Sequence, residues 1–218
     1  MKFAIIVFPG SNCDYDAYYA LKKIGFKVNF IWHKAKSLNN YDGILIPGGF
    51  SYGDYLRTGA IAKFSPIMDA IIEESKKGKI IIGICNGFQI LIESGLLPGA
   101  LITNNNVKFI SKKVSLEIKT HNSMFTKNIT KNTLLEMPIA HKQGNYIADD
   151  DTIKELKNND QIIFTYKNNP NGSILDIAGI TNKKRNILGM MPHPERASES
   201  ILGSKDGKLI FQSILNYE

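Results

Sequence analysis

The chain is poor in cysteine, in arginine and in long apolar runs, and each shortage removes a class of explanation. Two cysteines in 218 residues, Cys13 and Cys85, cannot build a disulfide framework, which points to a reducing, cytoplasmic setting. No apolar stretch approaches the roughly 18 residues of a membrane span. The opening run from Lys2 to Phe8 is short and leads into a glycine turn and an amphipathic segment, so it reads as a first strand rather than a signal peptide. The net charge is +7, yet the basic residues are 24 lysines and 3 arginines scattered along the chain, which argues against a nucleic-acid surface. The 20 asparagines accompany the lysine excess as compositional bias. Cysteine and histidine show no metal-ligand spacing, and no G-x-x-x-x-G-K-S/T phosphate loop occurs.

What is present is ordinary globular sequence, 43% hydrophobic, long enough to bury roughly 70% of its unfolded surface as one domain over residues 1–218. Four short apolar segments, Lys2 to Phe8, Lys27 to Trp32, Gly43 to Ile46 and Lys79 to Ile84, read as strands. Between the first two lies a helical pattern, Asp14 to Ile24, with Tyr15, Tyr18, Tyr19 and Ile24 on one face. A second helix, Ser65 to Lys77, has Ser65 as N-cap, Pro66 in its first turn and Gly78 beyond its end. This alternation predicts an α/β fold with a parallel sheet. From Val107 to Tyr166 the pattern becomes short and alternating, as in Lys113 to Lys119, which predicts antiparallel strands; Asn168 to Gly172 is a turn joining two of them. A last strand, Asn186 to Met190, and a helix from Asp206 to Tyr217 follow.

The chemistry concentrates at Gly83-Ile84-Cys85-Asn86-Gly87, directly behind the apolar run Lys79 to Ile82. A strand that breaks at a glycine-flanked cysteine into a helix, Asn86 to Gly95, matches a nucleophile elbow with sulfur as the reactive atom. The helix N-terminus would favour the thiolate and supply N–H groups, Asn86 among them, to an oxyanion. A buried inert thiol is the alternative for Cys85 alone, so a base is needed. Pro192-His193-Pro194-Glu195 offers one: the prolines hold the segment extended, so His193 and Glu195 point the same way and serve as base and orienter. Among the other histidines, His33 and His121 read as surface residues, whereas His141 either lines a substrate pocket or is structural. Pro47-Gly48-Gly49 follows the third strand; Gly49 is the candidate second oxyanion donor, and Gly48 lies beside it in the substrate pocket. Gln89, one turn into the elbow helix, faces the same cleft.

Together these residues resemble the class I (triad) glutamine amidotransferases. The resemblance is carried by Gly83-Ile84-Cys85-Asn86-Gly87-Phe88-Gln89, by the stretch from Pro47 to Arg57, by Asn169-Pro170-Asn171-Gly172-Ser173 and by the stretch from Met190 to Arg196. It is closest to the branch whose glutaminase belongs to a purine-biosynthetic synthetase, and Phe8 to Asp14 fits that branch as well. The resemblance implies a flavodoxin-like fold, a mostly parallel sheet with helices on both faces and a small antiparallel addition. It also implies hydrolysis of L-glutamine by Cys85, His193 and Glu195, no cofactor in this chain, ATP and Mg on a large synthetase subunit, and a third small subunit. His141 and Gly144 match the family's His-Gly-Glu-Gly stretch and are carried over as substrate-binding. Lys142 and Gln143 depart from that stretch and leave roles there open. Two further readings stay open: a cysteine hydrolase or repair enzyme of related architecture, which would place a histidine where Asn86 stands, and a catalytically silent regulatory subunit.

Overall fold

The structure is a computed structural model and describes residues 1–216. The amino-terminal part alternates strand and helix: β1 (Lys2–Val7), α1 (Asp14–Ile24), β2 (Lys27–Trp32), β3 (Gly43–Ile46), α2 (Pro66–Lys76), β4 (Ile80–Ile84) and α3 (Asn86–Glu93). There follow β5 (Ala100–Ile102), β6 (Ile110–Ile118), β7 (Leu134–His141), β8 (Asn145–Ile147), α4 (Asp150–Asn158), β9 (Ile162–Tyr166), β10 (Ile177–Thr181), β11 (Ile187–Met190) and α5 (Gly207–Leu215). Nine strands form one sheet in the order β2-β1-β3-β4-β11-β10-β9-β6-β7, and β5 pairs with β8 in a separate ribbon. β2, β1, β3, β4 and β11 run parallel, and the antiparallel strands β10, β9, β6 and β7 extend the same sheet.

Burial follows position in the sheet. β3 and β11 are buried at every residue and β4 at all but its first, as expected of parallel strands covered on both faces. Each fully buried isoleucine there contributes roughly 1.5–3 kcal/mol. β7, at the far edge, alternates exposed or half-buried with buried residues, the signature of a strand with one face on the core. Right-handed crossovers place α1, which leads from β1 outward to β2, on the face opposite α2, which leads from β3 the other way to β4.

Several expectations need correction. The tyrosines of α1 do lie together, but Tyr15 and Tyr19 are exposed, Tyr15 and Tyr18 pack on Phe30 of β2, and the buried face is Ala17, Ala20 and Leu21. Small residues let this helix lie close to the sheet, while the tyrosines cover its flank. Ser65 precedes α2, but its hydroxyl meets the Tyr52 hydroxyl at 2.7 Å and does not cap the helix. The carboxy-terminal helix spans Gly207–Leu215, and Tyr217 lies outside the described residues. Among the described residues no helix is long and apolar enough to cross a membrane.

Candidate active site

The parallel strands β1, β3, β4 and β11 end on one edge of the sheet, and each delivers a segment to it: Phe8 to Cys13, Pro47 to Gly49, Cys85 and Met191 to Glu195. β7 runs in the same sense and ends at His141. The sheet coils far enough that this last strand returns to the central ones. His193 N donates to Pro138 O at 2.9 Å, and Cys85 Sγ lies 3.6 Å from Ala140 O.

Cys85 sits between β4 and α3 with φ 51° and ψ −105°, an uncommon conformation for a side chain-bearing residue. The surroundings hold it there. Its N–H donates to Met190 O of β11 at 2.8 Å, and its carbonyl accepts from Gln89 N at 3.1 Å. The flanking glycines are required by space: a Cβ at Gly87 would stand 2.0 Å from Ile46 O, and one at Gly83 would stand 2.6 Å from Gly87 O.

His193 is 1% exposed and Glu195 2%, and His193 Nδ1 meets Glu195 Oε1 at 2.6 Å. The pair forms by a route other than the extended one expected. His193 has φ −103° and ψ 89°, and Pro194 opens a short 3₁₀ turn, Pro194–Ala197, which brings the carboxylate back onto the ring. Burial works against charge on the imidazole. The Glu195 carboxylate, and after it negative charge on the Cys85 sulfur, outweigh burial and hold the His193 pKa well above the ordinary value. His193 Nε2 is buried and has no hydrogen-bond partner among the described residues.

Gly48 lies against three side chains at this edge, since a Cβ there would be 2.7 Å from His193 Cε1, 3.2 Å from Cys13 Sγ and 3.4 Å from Cys85 Cβ. Gly49 adopts φ +134°, and it lines a small cleft of about 80 Å³ together with Cys85, Gln89, Ala140, His141 and Gln143. Larger cavities elsewhere, beside α2 and α4 and under the antiparallel strands, contain none of the expected site residues. His141 Nδ1 meets Asn104 Oδ1 at 3.1 Å, leaving Nε2 buried and, among the described residues, unpartnered. Burial, then the nearby His193, lowers the His141 pKa to about 4, so its ring is neutral near pH 7. Gly144 is not on the cleft wall: it lies beneath the His141 ring, where a Cβ would stand 2.3 Å away, and its N–H donates to Asn104 Oδ1.

A polar network joins the loop after β3 to the elbow helix. Asn86 Oδ1 accepts from Ser51 N at 3.0 Å, and Asn86 Nδ2 donates to Gln89 Oε1 at 3.0 Å. Gln89 Nε2 donates to Gln143 O at 2.7 Å, and Gln143 Oε1 accepts from Thr58 Oγ1 at 2.7 Å. Asp54, whose pKa burial raises to about 6, lies 3.4 Å from Asn86 Nδ2. Gln89 is therefore a buried strut of the cleft wall, and Gln143 fastens the loop at Thr58.

Sequence reasoning missed Asn104, Ser51, Thr58 and the position of Cys13. Asn104 carries no signal of its own inside the run Asn104-Asn105-Asn106 of an asparagine-rich chain. The stretch Asn169 to Ser173, read as a turn, also braces the site, because Asn171 Nδ2 donates to Gly144 O at 2.7 Å. His33 is corrected from surface to interior: it is 7% exposed and bonded to the Tyr52 hydroxyl at 2.8 Å. His121 is half-buried against Thr126 O.

A parallel-sheet edge that carries a cysteine elbow beside a buried His–Glu pair is an acyl-transfer arrangement, and comparison with known proteins agrees. Residues 1–208 match the CobB/CobQ-like glutamine amidotransferase domain, and the chain belongs to this glutamine amidotransferase family. The structure of PurLQS from Thermotoga maritima contains a chain 46% identical to this one, with TM-score 0.92, over 99% of this chain and 98% of that one. A GMP synthase-type protein from Thermoplasma acidophilum (15% identity, TM-score 0.67, 99% and 92% covered) shares the fold. So does a glutamine amidotransferase from Thermotoga maritima (18%, 0.59, 98% and 90%).

Proposed function

We propose that this chain is the glutaminase subunit of phosphoribosylformylglycinamidine synthase, acting as one glutaminase domain over residues 1–218. It hydrolyses L-glutamine and passes ammonia to an ATP-dependent, Mg-requiring synthetase subunit, which converts formylglycinamide ribonucleotide to the amidine; a third small subunit completes the complex. The full-length similarity to the PurLQS chain supports the assignment. Two free thiols fit a reducing cytoplasm.

In this reading His193 takes the Cys85 proton, and the sulfur attacks the side-chain carboxamide carbon of glutamine. Backbone N–H groups of Gly49 and Asn86 hold the oxyanion, and losing one such donor typically costs about 10²–10³ in rate. Collapse of the tetrahedral intermediate passes the proton from His193 to the departing nitrogen. Water, deprotonated by the same ring, then cleaves the thioester to glutamate. Glu195 keeps the ring oriented and stabilises its charged form. Neutral His141 lines the pocket without competing for the proton, and Gly48 and Gln89 shape the wall on which the substrate lies. Gly144 contributes by seating His141.

The observation that carries the roles is the strained Cys85 beside the buried His193–Glu195 pair at the ends of adjacent strands. In the reconstituted complex, Cys85→Ala should abolish glutamine-dependent synthesis and leave ammonia-dependent synthesis largely intact. Glutamine-dependent turnover by a folded Cys85→Ala protein would sink the assignment.

A further inference from the structure

Glu195 can steer His193 only if something steers Glu195. Its side chain is buried and, among the described residues, makes one hydrogen bond, Oε1 to His193 Nδ1, while Oε2 has no partner. A carboxylate held at a single point can pivot, so its place is set by the backbone that carries it, the turn Pro194–Ala197. That turn has no side-chain cap of its own. It packs on α5, where a Cβ at Gly207 would stand 2.1 Å from Pro194 O, and it also lies against α1.

The contact with α1 runs through Arg196, the residue directly after Glu195. Its Nε donates to Asp16 Oδ2 at 2.9 Å, and its Nη2 donates to Cys13 Sγ at 3.1 Å. Cys13 is tied in turn to the loop after β3, because its N–H donates to Gly48 O at 3.2 Å. A planar guanidinium engaged by two acceptors is fixed in orientation as well as in place, which the single ammonium of a lysine would not be. The Arg196 and Asp16 side chains are 37% and 43% exposed, so their ion pair contributes little to stability. None of Cys13, Asp16 and Arg196 lines the cleft beside Cys85. What remains for the contact is geometry.

We propose that Arg196 is a positioning residue for the reaction: clamped by Asp16 and Cys13, it fixes the turn that carries Glu195 and, through that carboxylate, the His193 ring. The inference rests on the glutaminase reading.

In the reconstituted complex, Arg196→Met keeps most of the side chain's length and loses both donors. It should lower kcat for glutamine-dependent synthesis about tenfold and leave KM for glutamine within about twofold, because the ring shifts and the substrate pocket does not. Arg196→Lys keeps the charge without the fork and should fall nearly as far. Asp16→Asn should lower kcat about threefold, and adding it to Arg196→Met should cost nothing more, since both act through one contact. Glu199→Gln is the control: it cuts the exposed Lys23–Glu199 ion pair, which also joins α1 to the segment after the turn, and should keep the wild-type rate. Thermal unfolding establishes that each variant is folded, and Asp16→Asn carries the test if Arg196→Met does not fold. A wild-type kcat in folded Arg196→Met or Asp16→Asn, an equal loss in Glu199→Gln, or a rise in KM that accounts for the whole effect would overturn the clamp. If Cys85→Ala loses glutamine-dependent synthesis and the Arg196 variants do not, the clamp alone fails; if Cys85→Ala retains it, the functional reading fails and the clamp with it.

Discussion

A single methyl group added at Gly48 would test whether the packing of this site sets its chemistry. The new Cβ lands 2.7 Å from Cε1 of His193, where carbon–carbon contact is comfortable only near about 3.5–4.0 Å, so the ring must retreat by about 1 Å. Gly48 does not use a left-handed backbone, so alanine adds no local strain and the conflict falls on the ring. That ring is 1% exposed and bonded to Glu195 at 2.6 Å, which leaves it nowhere to go without bending the bond. Overpacking of this kind costs about 1–3 kcal/mol of stability. A displacement near 1 Å between reacting groups costs about 10²-fold in rate. Gly48→Ala should therefore lower glutamate release by the reconstituted complex about a hundredfold, with ammonia-dependent synthesis spared. Gly53→Ala is the control. Its Cβ meets nothing within 4 Å but its φ is +65°, so it should cost about 1–2 kcal/mol of stability and change the rate only a few-fold. A folded Gly48→Ala protein with a wild-type glutaminase rate would refute the reasoning.

Asn86→Ala removes the acceptor of Ser51 N and the donor to Gln89 Oε1, both buried. Stability should fall by about 1–3 kcal/mol and glutaminase kcat by roughly tenfold as the loop after β3 loosens; an unchanged kcat in the folded variant would contradict this. His141 gives a pH test. Its folded pKa is about 4 against 6.5 unfolded, so the folded state binds fewer protons between these values. Its contribution, up to about 3 kcal/mol, is complete above pH 6.5 and is lost as pH falls toward 4. Asp54, raised to about 6, acts in the opposite sense in this window, so the comparison must be wild type against His141→Gln under identical conditions. The difference in unfolding free energy should shrink as pH falls; a constant difference would remove the account of His141.

The parts legible in sequence were those set by neighbours in the chain. β2, β3 and α1 have the bounds read from periodicity, and the cysteine elbow declared itself because a strand, two glycines and a thiol lie within a few residues of one another. The His–Glu pair was legible as a pair, though proline achieved it by opening a 3₁₀ turn rather than by prolonging a strand. The approach of His141 was harder to read, because it depends on the accumulated twist of nine strands returning β7 to the centre. α4 was masked by the alternation around it, although Asp149 caps it by accepting from Thr152 N, and Ile153 and Leu156 mark its buried face. The tyrosines of α1 were read as one face and do lie together, but the packing against the core is done by Ala17, Ala20 and Leu21, which the large side chains drew attention away from.

The pairing of β11 beside β4 also governs when this site can come into being. The N–H of Cys85 has no backbone acceptor until Met190 arrives, and His193 follows only three residues later. A growing chain thus carries Cys85 for about half of its length before the residues that surround it in the fold have been added. The Cys85, His193 and Glu195 cluster is therefore complete only when the centre of the sheet is filled from the far end of the sequence.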